Sequence, residues 1–190
     1  MKVEDNFLDQ EELNQLQSFF MSDQIAWRYN DSAGLYDSDN EFQFEHLFYI
    51  NNSPSSTKIE KLNSLLIKID TISIWRIKAN LLTRTPDVIE KSFHVDIGQL
   101  TSEEKLQQWT TSIFYVNTND GYTEFEDGTK IHSVENRMIT FPANLKHRGT
   151  SCTDAKVRVI INFDYFNGET KAMPFGLVPN RGFFPYPIDR

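Results

Sequence analysis

The spacing of apolar side chains changes near residue 72, and the change divides the chain. Before it, Leu13, Leu16, Phe19 and Phe20 recur at helical intervals. Asp9 precedes them as a candidate N-cap and Glu12 follows three residues later, the arrangement of a capping box. Ile59, Leu62, Leu65, Leu66 and Ile69 share one face of a second helix expected to start after Ser55 or Ser56. Residues 30–40 between the two are polar and read as a loop.

Beyond residue 72 the period falls to two. In 72–84, Trp75, Ile77, Ala79 and Leu81 share one parity, and Arg76, Lys78, Asn80, Leu82 and Arg84 the other. Successive strand residues point to opposite faces, so this strand has an apolar and a polar side. Residues 110–117, 138–141 and 156–166 read as further strands, with turns at Asn119-Asp120-Gly121 and Asp127-Gly128. In the last strand Val157, Val159, Ile161 and Phe163 form one face, and Arg158, Ile160 and Asn162 the other. An arginine among so many branched apolar residues is drawn inward, and a buried charge needs a partner. Asp164 or Glu135 would make that partner a structural salt bridge; a ligand carboxylate is the alternative.

Helices followed by strands imply a mostly β, α+β fold: a sheet sandwich or barrel with N-terminal helices packed on one sheet. No repeat or Gly/Ser-rich linker splits the chain, so a single domain is expected. Helical support would occupy 1–70, the sheet core 71–168 and an extended tail 169–190. The prolines of that tail rule out a helix or a central strand.

Composition narrows the function. Hydrophobic residues make up 39% of the 190-residue chain and aromatics 13%, too much apolar surface for a disordered protein. A net charge of −8 disfavours nucleic acid as the main partner. Cys152 stands alone, which excludes an internal disulfide and suggests a reducing compartment. The first residues show no signal-like apolar stretch, and no apolar run has the length of a membrane span. A cytoplasmic protein with no membrane partner is expected.

The candidate chemistry begins at His94-Val95-Asp96. Two residues apart on a strand, His94 and Asp96 face the same way and can hold one metal ion. A third ligand must come from elsewhere. Of the four histidines, His46 and His132 read as ordinary strand or loop residues. His147 is the better candidate, because it follows the strand at 138–141 and leads into the strand bearing Arg158. Two histidines and a carboxylate on one face of an ion leave the opposite face open, the ligand set of non-haem Fe(II) oxygenases. The plainer reading is a surface ion pair and a loop histidine beside Lys146 and Arg148; the whole constellation outweighs it. Trp27, Trp75 and Trp109 read as packing anchors.

From about residue 72 to 166 the sequence resembles the 2-oxoglutarate/Fe(II)-dependent dioxygenase superfamily, in its prolyl-4-hydroxylase-like group. The resemblance rests on the His94-x-Asp96 pair, on Ile113-Phe114-Tyr115-Val116-Asn117, and on Gly121-Tyr122-Thr123-Glu124-Phe125. It continues through Gly128, Arg137, Phe141, His147 and Arg158. Tyr122 departs from the pattern, standing where a small residue is common. The resemblance implies a double-stranded β-helix, or jelly-roll, core with Fe(II) on His94, Asp96 and His147. It implies that Arg158 pairs with the distal carboxylate of 2-oxoglutarate, with Thr123 beside that carboxylate and Asn80 as an amide contact. Tyr115 or Phe114 would line the pocket, and the sequence leaves open which.

O2 would be the second cosubstrate and ascorbate a possible reductant. The products would be succinate, CO2 and a hydroxylated peptidyl or small-molecule substrate. Family members that halogenate lack the carboxylate ligand, so Asp96 points to hydroxylation or demethylation. Two rival readings are a cupin-like metalloenzyme that does not use 2-oxoglutarate and a non-catalytic jelly-roll binding domain.

Overall fold

The computed structural model describes residues 1–31, 42–97 and 102–167. The expected tail and most of the 30–40 loop lie outside the described residues.

The chain begins with strand β1 (Lys2–Glu4) and helix α1 (Gln10–Phe20). The Asp9 carboxylate accepts the Glu12 backbone N–H at 2.9 Å, and the Glu12 carboxylate accepts that of Asp9 at 3.2 Å. The capping box is therefore complete, and Leu13, Leu16, Phe19 and Phe20 are buried as their spacing requires. Strands β2 (Arg28–Asn30), β3 (Gln43–Ile50) and β4 (Ser53–Pro54) follow. A 3-10 turn at Ile59–Leu62 then runs into α2 (Asn63–Ile69). The remaining elements are β5 (Ser73–Thr83), α3 (Glu103–Leu106), β6 (Thr110–Tyr115), β7 (Tyr122–Phe125) and β8 (Lys130–His132), then β9 (Arg137–Pro142), β10 (His147–Gly149) and β11 (Val157–Phe166).

Two antiparallel sheets make the jelly roll. The larger runs β1-β9-β6-β11-β5-β3-β2, with β4 on β3; the smaller runs β10-β7-β8. The stretch before Asp96 adds an edge to the smaller sheet through bridges Glu90↔Thr150 and His94↔His147. Helices cover the outer face of the large sheet. Phe19, Phe20, Leu62 and Leu65 pack there with Phe48, Ile77, Ala79, Val159, Ile161 and Phe163. The inner face meets the small sheet through Ile113, Tyr115, Phe125, Ile139, Phe141 and Ile160. The parity of 157–163 is thus observed: valines and isoleucine toward the helices, Arg158 and Asn162 inside.

Two features depart from the sequence reading. The 1–70 segment is more than helical support, because β3 pairs with β5 inside the large sheet. Trp75 also leaves the apolar face assigned to it. The register between β5 and β11 slips so that Asp164 faces Arg76 while Tyr165 faces Ile74. The extra residue, Trp75, turns to pack edge-on against Trp109. Among the described residues no helix is long and apolar enough to cross a membrane.

Candidate metal centre

His94 and His147 are 53 positions apart in sequence and opposite each other in space. His94 N–H donates to the His147 carbonyl and His147 N–H to that of His94, both at 2.9 Å. Residues so paired across an antiparallel ladder project side chains to the same face. Their rings accordingly stand 5.0 Å apart between centroids. Asp96, two residues beyond His94, joins them, and the ligating atoms of all three lie within 4.8 Å of one another.

Both imidazoles are oriented by backbone. His94 Nδ1 faces the Ser92 carbonyl at 3.0 Å and His147 Nδ1 faces that of Leu145 at 3.2 Å. A carbonyl only accepts, so each Nδ1 carries a proton and Nε2 is the atom that can ligate an ion once it is deprotonated. Burial lowers the His94 pKa, which favours the neutral, ligating form. Burial would also lower that of His147, but Asp96 Oδ2, 3.4 Å from its Nε2, raises it instead. Asp96 itself is buried, which opposes ionisation. Arg76 and the two imidazoles overcome that and hold its carboxyl well below the usual range.

Two residues absent from the expected site fix Asp96. Arg76 Nη2 donates to its Oδ1 at 2.7 Å, and Asn162 Nδ2 to its Oδ2 at 2.9 Å. Arg76 also donates through Nε to Asp164 Oδ2 at 2.8 Å. Asp164 is fully buried and accepts from the Thr111 hydroxyl at 2.9 Å. Burial pushes the Asp164 carboxyl up to about 6. The sequence held a signal for both residues: Arg76 and Asn162 lie on the same strand faces as Asn80 and Arg158.

Arg158 is 0% exposed, and its hydrogen-bond partners are neutral. Its Nε donates to Ser133 Oγ at 2.8 Å, Nη1 to the Thr150 carbonyl at 3.3 Å and Nη2 to Thr123 Oγ1 at 3.4 Å. Neither Asp164 nor Glu135 pairs with it, so the salt-bridge reading is set aside. Burial lowers its pKa, and among the described residues no carboxylate stands alongside. Its stem packs on bare backbone. A Cβ at Gly121 would stand 2.6 Å from Arg158 Cδ and 2.7 Å from the Ser151 carbonyl oxygen. Thr123 Oγ1 also accepts the Tyr115 hydroxyl at 2.8 Å. Tyr115 therefore faces inward, while Phe114 packs in the helix-side core against Phe7.

Asn80 sits in a chain of amides. Asn162 Nδ2 donates to Asp96, which leaves Asn162 Oδ1 to accept Asn80 Nδ2 at 3.3 Å. Asn80 Oδ1 is buried and has no partner among the described residues. The free atom of Asn80 is thus an acceptor, and it suits a hydroxyl, amide N–H or water better than a carboxylate. His94, Asp96, His147, Asn80, Thr123 and Arg158 line one cavity, together with Lys78 and Lys91. His46 lies elsewhere, bonded to the Ala26 carbonyl and Ser56, and His132 packs edge-on against Tyr122.

A jelly roll with these residues at one mouth defines a fold class, and comparison with solved structures agrees. A prolyl hydroxylase from Trichoplax adhaerens, in complex with a hypoxia inducible factor peptide fragment, aligns with a TM-score of 0.64 at 13% identity. The alignment covers 90% of this chain and 85% of that one. A 2OG-Fe(II) oxygenase family oxidoreductase from Burkholderia pseudomallei aligns at 0.58 and 9% identity, covering 85% and 82%. A non-heme alpha-ketoglutarate-dependent carbocyclase from nogalamycin biosynthesis aligns at 0.60 and 8% identity, covering 87% and 78%. The chain has the fold of the 2-oxoglutarate/Fe(II) dioxygenases. No protein-family model and no curated protein sequence matches it.

Proposed function

We propose that the chain is an Fe(II)- and 2-oxoglutarate-dependent dioxygenase that hydroxylates a C–H bond of a peptidyl or small-molecule substrate. One observation supports this above the rest. A His-Asp-His cluster shares a cavity with a fully buried arginine that has no acidic partner among the described residues.

The residues suit the ion and the cosubstrate. Two neutral imidazoles and one ionised carboxylate, all directed by bonds to other groups, make a facial ligand set for Fe(II). The Arg158 guanidinium, with two further N–H groups to offer, suits a carboxylate through its planar fork. Thr123 accepts from both Tyr115 and Arg158, so its own hydroxyl hydrogen is left to donate to the same carboxylate. Bound together, the metal and 2-oxoglutarate supply the oxidising chemistry, with succinate and CO2 as products. The chain's part is to orient the three ligands, hold the distal carboxylate in a water-poor cavity and leave one side of the ion open to O2 and substrate.

The substrate class rests on the fold neighbours alone: one is bound to a peptide fragment and another belongs to a small-molecule biosynthesis. The test is anaerobic loading with Fe(II), then 2-oxoglutarate, ascorbate and O2. Wild type should form succinate slowly even without a prime substrate, and Asp96→Ala should form none. Equal binding of iron and 2-oxoglutarate by both proteins overturns the assignment of Asp96 to the metal; iron without a 2-oxoglutarate requirement in wild type would favour a cupin-like enzyme, and no stoichiometric iron a binding domain.

A further inference from the structure

Resting on that reading, we infer that Arg76 is a positioning residue that occupies one oxygen of Asp96, so that Asp96 can offer the metal only the other. The two carboxylate oxygens are not equivalent. Oδ1 receives the charged Arg76 Nη2 at 2.7 Å, while Oδ2 receives only the neutral Asn162 amide at 2.9 Å and faces His147 Nε2 at 3.4 Å. The atom beside the second imidazole is therefore the one aimed at the ion.

Arg76 is in turn held from behind. It bonds Asp164 at 2.8 Å through both Nε and Nη2, and Thr111 fixes the far oxygen of Asp164. Asp96, Asp164 and Arg76 are 5%, 0% and 17% exposed at their side chains, so the cluster is shielded from bulk water. Two carboxylates around one guanidinium leave a net charge of −1 in the interior, which a divalent cation would offset.

Position 76 is the last in the unbroken register of β5 with β11, which places it opposite Asp164 just before the irregularity that displaces Trp75. A free carboxylate beside a divalent ion can chelate through both oxygens. Chelation by Asp96 would consume a position that the 2-oxo acid needs. The strap from Arg76 prevents this and keeps three positions available.

The test compares wild type, Asp164→Asn and Arg76→Met combined with Asp164→Asn. The double variant removes the cation together with the buried carboxylate it would strand. Far-UV circular dichroism checks the fold. Co(II) absorption reads the coordination of the ion, and calorimetry on Mn(II)-loaded protein reads 2-oxoglutarate affinity. The double variant should stay folded and still bind one Co(II), but with a changed visible spectrum. It should bind 2-oxoglutarate about tenfold or more weakly, as loss of an orienting partner does at other metal sites. Asp164→Asn, which loosens Arg76 but leaves it on Asp96, should fall between wild type and the double variant.

A double variant with the wild-type spectrum and affinity overturns the inference, as does Asp164→Asn impaired to the same degree. If the double variant does not fold, Arg76→Lys carries the test. Lysine lacks the planar fork that serves Asp96 and Asp164 in fixed directions, so the same changes are expected and a wild-type result is the contradiction. Failure of wild type itself to bind metal and 2-oxoglutarate would instead defeat the proposed function.

Discussion

Arg158 is the residue whose cost and use are most clearly separated. A buried guanidinium with only neutral partners is unfavourable in the empty protein. Arg158→Met should therefore leave the melting temperature of the empty protein unchanged or raised. In Mn(II)-loaded wild type, 2-oxoglutarate at about 100 times its Kd should add about 2.7 kcal/mol of stability. It should add none to the variant. Thermal melts with and without ligand check both halves, and a variant stabilised as much as wild type would remove Arg158 from the carboxylate site. His147 adds a pH dependence. Asp96 raises its pKa, so the metal-free protein holds a proton on Nε2 to higher pH than a free imidazole does. A metal must displace that proton. Affinity for Mn(II) should therefore fall as pH drops from about 8 to about 6, with proton release on binding. A flat profile would contradict the shift. Both residues were legible in the sequence: His147 because few histidines compete for the role, Arg158 because strand parity placed it inside. Arg76 was visible only as one polar position among several, since nothing in β5 announces that Asp164 lies across the ladder.

At the scale of elements, the site depends on a backbone pairing more than on any loop. The mutual hydrogen bonds of His94 and His147 set the ring separation before any ion arrives. Gly121, at the start of the turn into β7, plays the corresponding part for Arg158. Gly121→Ala would push a methyl group against the Arg158 stem and the Ser151 carbonyl. It should cost about 1–3 kcal/mol and weaken 2-oxoglutarate binding, whereas Gly128→Ala, with open space around its Cβ, should leave that binding unchanged. Denaturant melts and ligand titrations of both variants measure this. Gly128 has a positive φ of 85°, so its alanine variant loses stability through backbone strain and only ligand titrations separate the two; equal loss of 2-oxoglutarate binding would show that the contact with Arg158 is immaterial. The elements the sequence revealed were those with an unbroken period: α1 with its cap, β6, β9 and β11. β3 stayed hidden because the register slips between Leu47 and Tyr49, which breaks the alternation that marks a strand. The same kind of irregularity sent Trp75 to the wrong face.

At the scale of the molecule, two sheets and a helical cover separate stability from chemistry. The large core lies between helices and sheet, and the polar cluster lies between the sheets at one mouth. The net charge of −8 says little about that mouth, where Arg158, Lys78 and Lys91 gather. The jelly roll was legible through the resemblance, while the pairing of β3 into the large sheet could come only from coordinates. The central claim is that three side chains converge on one ion and that 2-oxoglutarate then binds on it. An anaerobic Fe(II) titration with equilibrium dialysis of 2-oxoglutarate measures this directly. The expected result is one iron per wild-type chain, 2-oxoglutarate retained only when iron is present, and neither retained by His147→Ala. Iron bound equally by wild type and His147→Ala, or 2-oxoglutarate held without any metal, would contradict it.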